Sequence, residues 1–319
     1  MNLLSFAEFS KYFYSDLTAK VISGILGVMF VVYCLYQGYI YKFKRSRYRG
    51  IIFNTRNIAY ITLLSAASAS ITILISITVP ITVFPPIRIA FEGVMVKISG
   101  FIFGPIVGVI SAIVTDFIVM LFVPSFVHIA FILVIIFFGL VSGFVGDLYR
   151  LSNSNEKGSS KWFLFIFTNI FIIGFVTLTS LMTWYSDFPD GIPLFGGLVA
   201  SKEVLVFLLI LGGGLSIVVV WSITFIYRKY DKTKSKYQDV IAVILLCVLC
   251  EYLITSLISP WGDIAFLTVS KGDSAETSGY GVTLVARLAM APMKIFFNVA
   301  VIYLVYIAVS PLVHRTNNN

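Results

Sequence analysis

Apolar stretches long enough to cross a lipid bilayer follow one another almost from one end of this sequence to the other, and that succession leaves few folds open. A hydrocarbon core about 30 Å thick is spanned by about 20 residues of helix. Within it, only helices or closed barrels satisfy every backbone polar group. The stretches fall at about 19–41, 57–79, 90–103, 105–123, 126–149, 162–184, 200–227, 239–258 and 281–309. They predict an all-α integral membrane protein in the cell membrane, with multiple passes and no extramembrane domain. Composition agrees: 59% of the 319 residues are apolar and 12% charged, more apolar surface than a soluble core of this length buries. The first stretch is longer than a signal-peptide core and has no clear cleavage site after it, so it reads as a retained helix.

The formal net charge of +8 invites a nucleic-acid reading, which the placement of the charges removes. Lys42, Lys44, Arg45, Arg47, Arg49 and Arg56 fill one interhelical segment, Arg150, Lys157 and Lys161 a second, and Arg228, Lys229, Lys232, Lys234 and Lys236 a third. Asp187, Asp190, Asp263, Asp273 and Glu276 lie in the alternate segments. This is the positive-inside pattern. It puts the N-terminus outside and the C-terminus, with Arg315, inside. The short stretch from Glu92 to Phe103 runs directly into Gly104-Pro105, which predicts a tight hairpin with its turn on the cytoplasmic side.

Ionisable residues inside spans mark candidate ligand positions, because each costs about 2.5 to 3.5 kcal/mol at the bilayer centre and must face protein or water. Glu92, Lys97, Asp116, Glu251, Arg287 and Lys294 are of this kind. At about 1.5 Å per residue, Lys97 and Arg287 fall roughly 10 Å below the outer surface, with Asp116 and Glu251 in the middle to outer half. Paired charges holding helices together would give the same pattern. In a continuous last helix, Arg287 and Lys294 return to one face after two turns, Asn298 follows there, and Pro292 between them predicts a kink. Two cations in one pocket suit an anionic ligand. Folate fits better than uncharged riboflavin, and pantothenate, niacin or a thiamine phosphate also carries negative charge. On the outer side, Arg88 stands among Phe84, Pro85, Pro86 and Phe91, where a stiff loop would hold a guanidinium beside aromatic faces.

Ser65, Ala66, Ala67, Ser68, Ala69 and Ser70 form a patch in which Ser65/Ala69 and Ala66/Ser70 have the spacing that lets membrane helices approach closely. Other chemistry is weak. Cys247 and Cys250 have redox spacing within an apolar span without an activating base, and Cys34 is similarly placed. His128 and His314 are too few for a metal site. Gly212-Gly213-Gly214 lacks a following Lys-Ser/Thr and predicts close packing or a kink. No metal or cofactor is expected, and no nucleotide-binding motif supplies energy.

The run Ile87-Arg88-Ile89-Ala90-Phe91, then Phe103-Gly104-Pro105-Ile106-Val107-Gly108, then Asp116 resembles the first outer loop and following helices of energy-coupling factor (ECF) S components, most of all the folate type. Gly139 and Gly143, and Arg287 with Pro292, are also similar to positions of that family. The resemblance implies a six-helix core from the helices beginning near 57, 90, 105, 126, 239 and 281, plus about three additional transmembrane helices. Residues 1–56 are then an extra helix and basic loop, 57–149 the first four core helices, 150–237 an inserted hairpin, and 238–319 the last two core helices and tail.

The function so implied is a high-affinity vitamin-binding subunit of an ABC-type importer and not an enzyme, with folate or a related anionic vitamin as ligand. Its partners are a transmembrane coupling subunit and two ATPases. The expected ligand set is Arg88, Phe91, Glu92, Lys97, Asp116, Glu251, Arg287, Lys294 and Asn298. The expected coupling-subunit contact is Ser65, Ala66, Ala69 and Ser70. The alternative is a self-sufficient ion-coupled transporter of a small organic anion, with Asp116 or Glu251 as proton relay.

Overall fold

The computed structural model describes residues 9–44, 55–78, 85–122, 126–154, 160–186, 192–193, 199–230, 236–271 and 279–317. The helices are α1 (Asp16–Lys44), α2 (Thr55–Thr78), α3 (Pro85–Phe103), α4 (Pro105–Phe122), α5 (Ile129–Ser154) and α6 (Ser160–Tyr185). After them come α7 (Lys202–Tyr230), α8 (Lys236–Leu249), a π-helical turn (Cys250–Thr255), α9 (Ser259–Lys271), α10 (Gly279–Ala289) and α11 (Ala291–Asn317). Between α6 and α7, Ile192–Pro193 pairs antiparallel with Val199–Ala200. Among the described residues, six helices are long and apolar enough to cross a membrane, and a seventh if the bent pair Asp239–Thr255 and Ser259–Val269 is one span. The chain is an all-α membrane protein, as expected.

Two compact units make up the chain. One comprises Gly24–Val127, Ile132–Lys161 and Phe297–Asn319 and is called here the hairpin unit; the other comprises Met1–Ser23, His128–Phe131 and Trp162–Phe296 and is called the broken-helix unit.

In the hairpin unit the predicted turn is present. Gly104 has φ of 98°, which side-chain-bearing residues rarely adopt, and Pro105 opens α4 where its missing N–H costs nothing. The Gly104 N–H closes on the Gly100 carbonyl at 2.7 Å, and that of Gly108 on the Gly104 carbonyl at 2.9 Å. Glycines then bring α5 against the hairpin at backbone distance. A β-carbon on Gly108 would stand 2.3 Å from the Gly139 carbonyl oxygen, one on Gly143 2.3 Å from Pro105 Cα, and one on Gly146 2.2 Å from the Phe101 carbonyl oxygen. Arg150 finishes the joint: its Nη1 donates to the Ile102 carbonyl at 2.8 Å, satisfying the end of α3, while Nη2 meets Asp147 at 2.7 Å. Tyr33 of α1 donates to the other Asp147 oxygen at 2.9 Å, so α1 is tied to this joint.

In the broken-helix unit two interruptions occur, one where no break was expected and one at the kink that Pro292 predicts. The span expected to end near 258 continues, after a 41° bend, into α9. Ser259-Pro260 starts that helix, with proline in the first turn where it is tolerated. The expected last helix is interrupted at Met290, and Pro292 sits in the first turn of α11. Proline at 292 supplies no N–H to the Leu288 carbonyl four residues before it. Gly212 of α7 comes close to that carbonyl, since a β-carbon there would be 3.0 Å from the oxygen. The Gly212-Gly213-Gly214 run thus serves close packing, with Gly213 facing Val176 and Gly214 facing open space.

Candidate functional site

The expected ligand residues divide between the two units. In the hairpin unit, Lys97 of α3 is fully buried, with Nζ 4.2 Å from the centre of the Phe138 ring. Gly93, one turn earlier, makes room for that ring: a β-carbon there would meet Phe138 Cδ2 at 2.5 Å. The glycine and the aromatic together hold a lysine stem and its charge inside an apolar helix pair. Asp116 of α4 is half-buried, and Asn298 of α11 is buried. Arg88, Phe91 and Glu92 belong to the helical backbone of α3, but their side chains lie outside the described set.

The small-residue patch of α2 separates into two faces. Ser65 is buried and shares a hydrogen bond of 2.8 Å with Ser111 of α4. Ala69, one turn on, is buried against Val119, with Ile73 and Ile118 beside it. This pair is an internal crossing. Ala66 and Ser70 are exposed on another face, in line with exposed Thr62 and Leu74. Ala69→Leu should therefore destabilise the hairpin unit by about 1 to 3 kcal/mol through overpacking, whereas Ala66→Leu should leave thermal unfolding of the purified chain unchanged.

In the broken-helix unit, Arg287 of α10 is 4% exposed and is gripped by Asp263 of α9. Nε donates to Oδ2 at 2.8 Å and Nη2 to Oδ1 at 2.9 Å, a two-pronged pair. Asp263 was absent from the expected site because its segment read as an outer loop. Ser259-Pro260, a helix-start signal, would have revealed the helix that carries it. Lys294 is buried in the first turns of α11, so Arg287 and Lys294 belong to different helices on either side of Met290. Backbone hydrogen bonds still cross the junction, from the Met290 N–H to the Ala286 carbonyl at 3.2 Å and from the Lys294 N–H to the Met290 carbonyl at 3.3 Å. Glu251 is buried within the π-helical turn, an irregularity often found at functional positions. Beside it, Tyr252 donates to Ser216 Oγ at 2.8 Å and meets the Phe175 ring edge-on at 5.3 Å, the end of a ladder that runs up α6 through Phe163, Phe167 and Phe171.

Aromatic and charged groups gather around Trp261 in the same unit. Its ring lies edge-on to His128 at 5.1 Å and 5.6 Å from Lys20 Nζ, and Lys20 pairs with Asp16. His128 Nδ1 accepts from the Ala130 N–H at 3.2 Å at the start of α5, and burial lowers its pKa below the ordinary histidine value. Tyr14 hydrogen-bonds Thr183 Oγ1 at 2.6 Å and donates to the Thr179 carbonyl at 3.1 Å. Burial pushes its phenol above the usual tyrosine range. Among the described residues no group of three or more His, Cys, Asp or Glu side chains is placed to hold a metal ion.

Residues 52–196 match the family described as ECF-type riboflavin transporter, S component. The stretch takes in α2 to α6, and with them the Gly104 hairpin and its glycine contacts to α5. The match covers less than half of the chain, and the candidate spans make the chain a multi-pass membrane protein. A curated relative, the uncharacterized protein MG098 homolog of Mycoplasma pneumoniae, is 25% identical over 270 residues, which cover 72% of this chain and 54% of the relative. The chain thus spans about half the length of that relative. No solved structure matches it.

Proposed function

We propose that the chain is the vitamin-binding S component of an energy-coupling factor importer, energised by a separate transmembrane coupling subunit and two ATPases. The observation that carries this reading is the match of residues 52–196 to an S-component family over the stretch that holds the Gly104 hairpin. The vitamin is riboflavin. Two observations favour it: the matching family is described as a riboflavin transporter, and the Arg287 charge is already met by Asp263. A neutral ligand needs no further cation. Folate or a related anionic vitamin is the second reading, favoured by the buried lysines Lys97 and Lys294. The exposed Ala66/Ser70 face of α2 is the proposed contact for the coupling subunit, with Ser65 and Ala69 supporting it from inside.

The test is reconstitution. Alone in proteoliposomes, the chain should bind riboflavin and fail to accumulate it; accumulation should appear when a coupling subunit and its ATPases are supplied with ATP. Folate added in excess should not displace riboflavin, and displacement would favour the anionic reading. Sustained accumulation by the isolated chain under an ion gradient would replace this reading with a secondary transporter. In the complete system, Ala66→Leu should lower uptake and leave riboflavin binding intact, because added volume there blocks close helix approach.

A further inference from the structure

Many hydroxyl groups in the helices of the broken-helix unit bond back to their own helix, although the buried hydroxyls of Ser23, Ser180 and Thr224 do not. Thr168, Thr179, Thr183 and Ser216 donate to the carbonyl four residues earlier at 2.7 to 2.9 Å, and Thr283 does the same at 2.9 Å. This is how a hydroxyl is satisfied in an apolar setting. Thr255 and Ser259 do not follow it. Both are buried, at 2% and 0% exposure, and neither Oγ1 nor Oγ has a hydrogen-bond partner. They flank the break between the π-helical turn and α9, whose other polar groups are occupied: Ser256 Oγ donates to the Glu251 carbonyl, and the Tyr280 hydroxyl donates to the Leu257 carbonyl.

A third unbonded donor belongs to Arg287 of α10, which is tied to α9 through Asp263. Asp263 lies four residues after Ser259 on α9, hence on the same face one turn along. Asp263 takes Nε and Nη2 of Arg287, and Nη1, also buried, bonds nothing. A buried donor left so is destabilising, a penalty that native interiors seldom carry without a purpose. The three groups can all donate, and the Asp263 carboxylate cancels the guanidinium charge. That combination disfavours a metal ion and offers little to a carboxylate, but suits a neutral acceptor.

We propose that Thr255, Ser259 and Arg287 Nη1 form a donor site for the uncharged carbonyl edge of a fused heteroaromatic ring, with Asp263 as the positioning residue that turns Nη1 toward it. This rests on the vitamin-binding reading and deepens it. The pyrimidine-dione edge of riboflavin has the required chemistry, with two carbonyl acceptors and no charge.

The experiment is titration of the detergent-purified chain, followed by quenching of flavin fluorescence, with riboflavin and with 2-thio- and 4-thioriboflavin, in which a weakly accepting sulfur replaces one carbonyl oxygen. Ser259→Ala and Thr255→Val should each weaken riboflavin about tenfold, the order expected for one lost hydrogen bond in a buried site. Each should also shrink the wild-type preference for riboflavin over at least one thio analogue. Arg287→Lys, which keeps the charge opposite Asp263 and loses Nη1, should behave likewise. Circular dichroism of each variant guards against misfolding, and Thr255→Val, nearly the same shape, stands in if Ser259→Ala does not fold. Equal losses for riboflavin and both analogues would mean that the hydroxyls merely support the fold, and unchanged affinities would mean that buried water satisfies them; either result overturns the site alone. Failure of the wild-type chain to bind riboflavin would overturn the vitamin reading and this site together.

Discussion

Gly139→Ala is expected to cost the chain more stability than most single substitutions in it, although it adds one methyl group. The new β-carbon would lie 2.3 Å from the Gly108 carbonyl oxygen and 2.4 Å from its carbon, and both are backbone atoms of the neighbouring helix. No rotamer change relieves such a contact. α4 and α5 must separate, and with them Gly100, whose Cβ position is 2.4 Å from the Gly139 carbonyl oxygen. The cost should reach or exceed the upper end of the about 1 to 3 kcal/mol typical of overpacking. Gly174→Ala is the control. Nothing lies within 4 Å of its Cβ position, so the gain in helix propensity should leave the chain unchanged or more stable by up to about 1 kcal/mol. Thermal unfolding in detergent, read by circular dichroism, measures both. If the two variants melted together with the wild type, the close approach of α4 and α5 would be wrong.

That hairpin was legible because its signals are local. A glycine at positive φ followed by a proline at a helix start needs no knowledge of the rest of the chain. The patch on α2 was legible only in part. Its six successive small residues sit in a helix that is apolar on every side, so no hydrophobic face distinguishes Ser65/Ala69 from Ala66/Ser70. The partners that decide it, Ser111 and Val119, are 46 and 50 residues away. The break at Met290 was legible from Pro292, and the break at 256–258 was missed for a different reason. Hydropathy reads length and apolar content, and a bent span has both.

The charges show the same limit most plainly. Sequence reasoning found Arg287 from its cost inside a span, but could not supply Asp263, which it left in an outer loop. The charge count of the site changed with that one residue: what read as two open cations became a neutral pair and a lysine.

Removing Asp263 should accordingly be among the most damaging changes in the broken-helix unit. Asp263→Ala leaves the Arg287 guanidinium, 4% exposed, without its carboxylate. Breaking a buried pair from one side costs about 3 to 5 kcal/mol, because the remaining charge is neither solvated nor compensated. Arg287→Met should cost less, since the Asp263 side chain is 17% exposed and keeps some access to water or headgroups. The double variant Asp263→Ala/Arg287→Met removes both charges and should recover most of the stability lost by Asp263→Ala. Binding separates glue from recognition. If the pair served only to join α9 to α10, the repaired double variant would bind riboflavin as the wild type does. We expect instead that it melts near the wild type and binds at least tenfold more weakly, because Nη1 is gone. A double variant with native stability and native affinity would make the pair structural, and Arg287 would leave the ligand site.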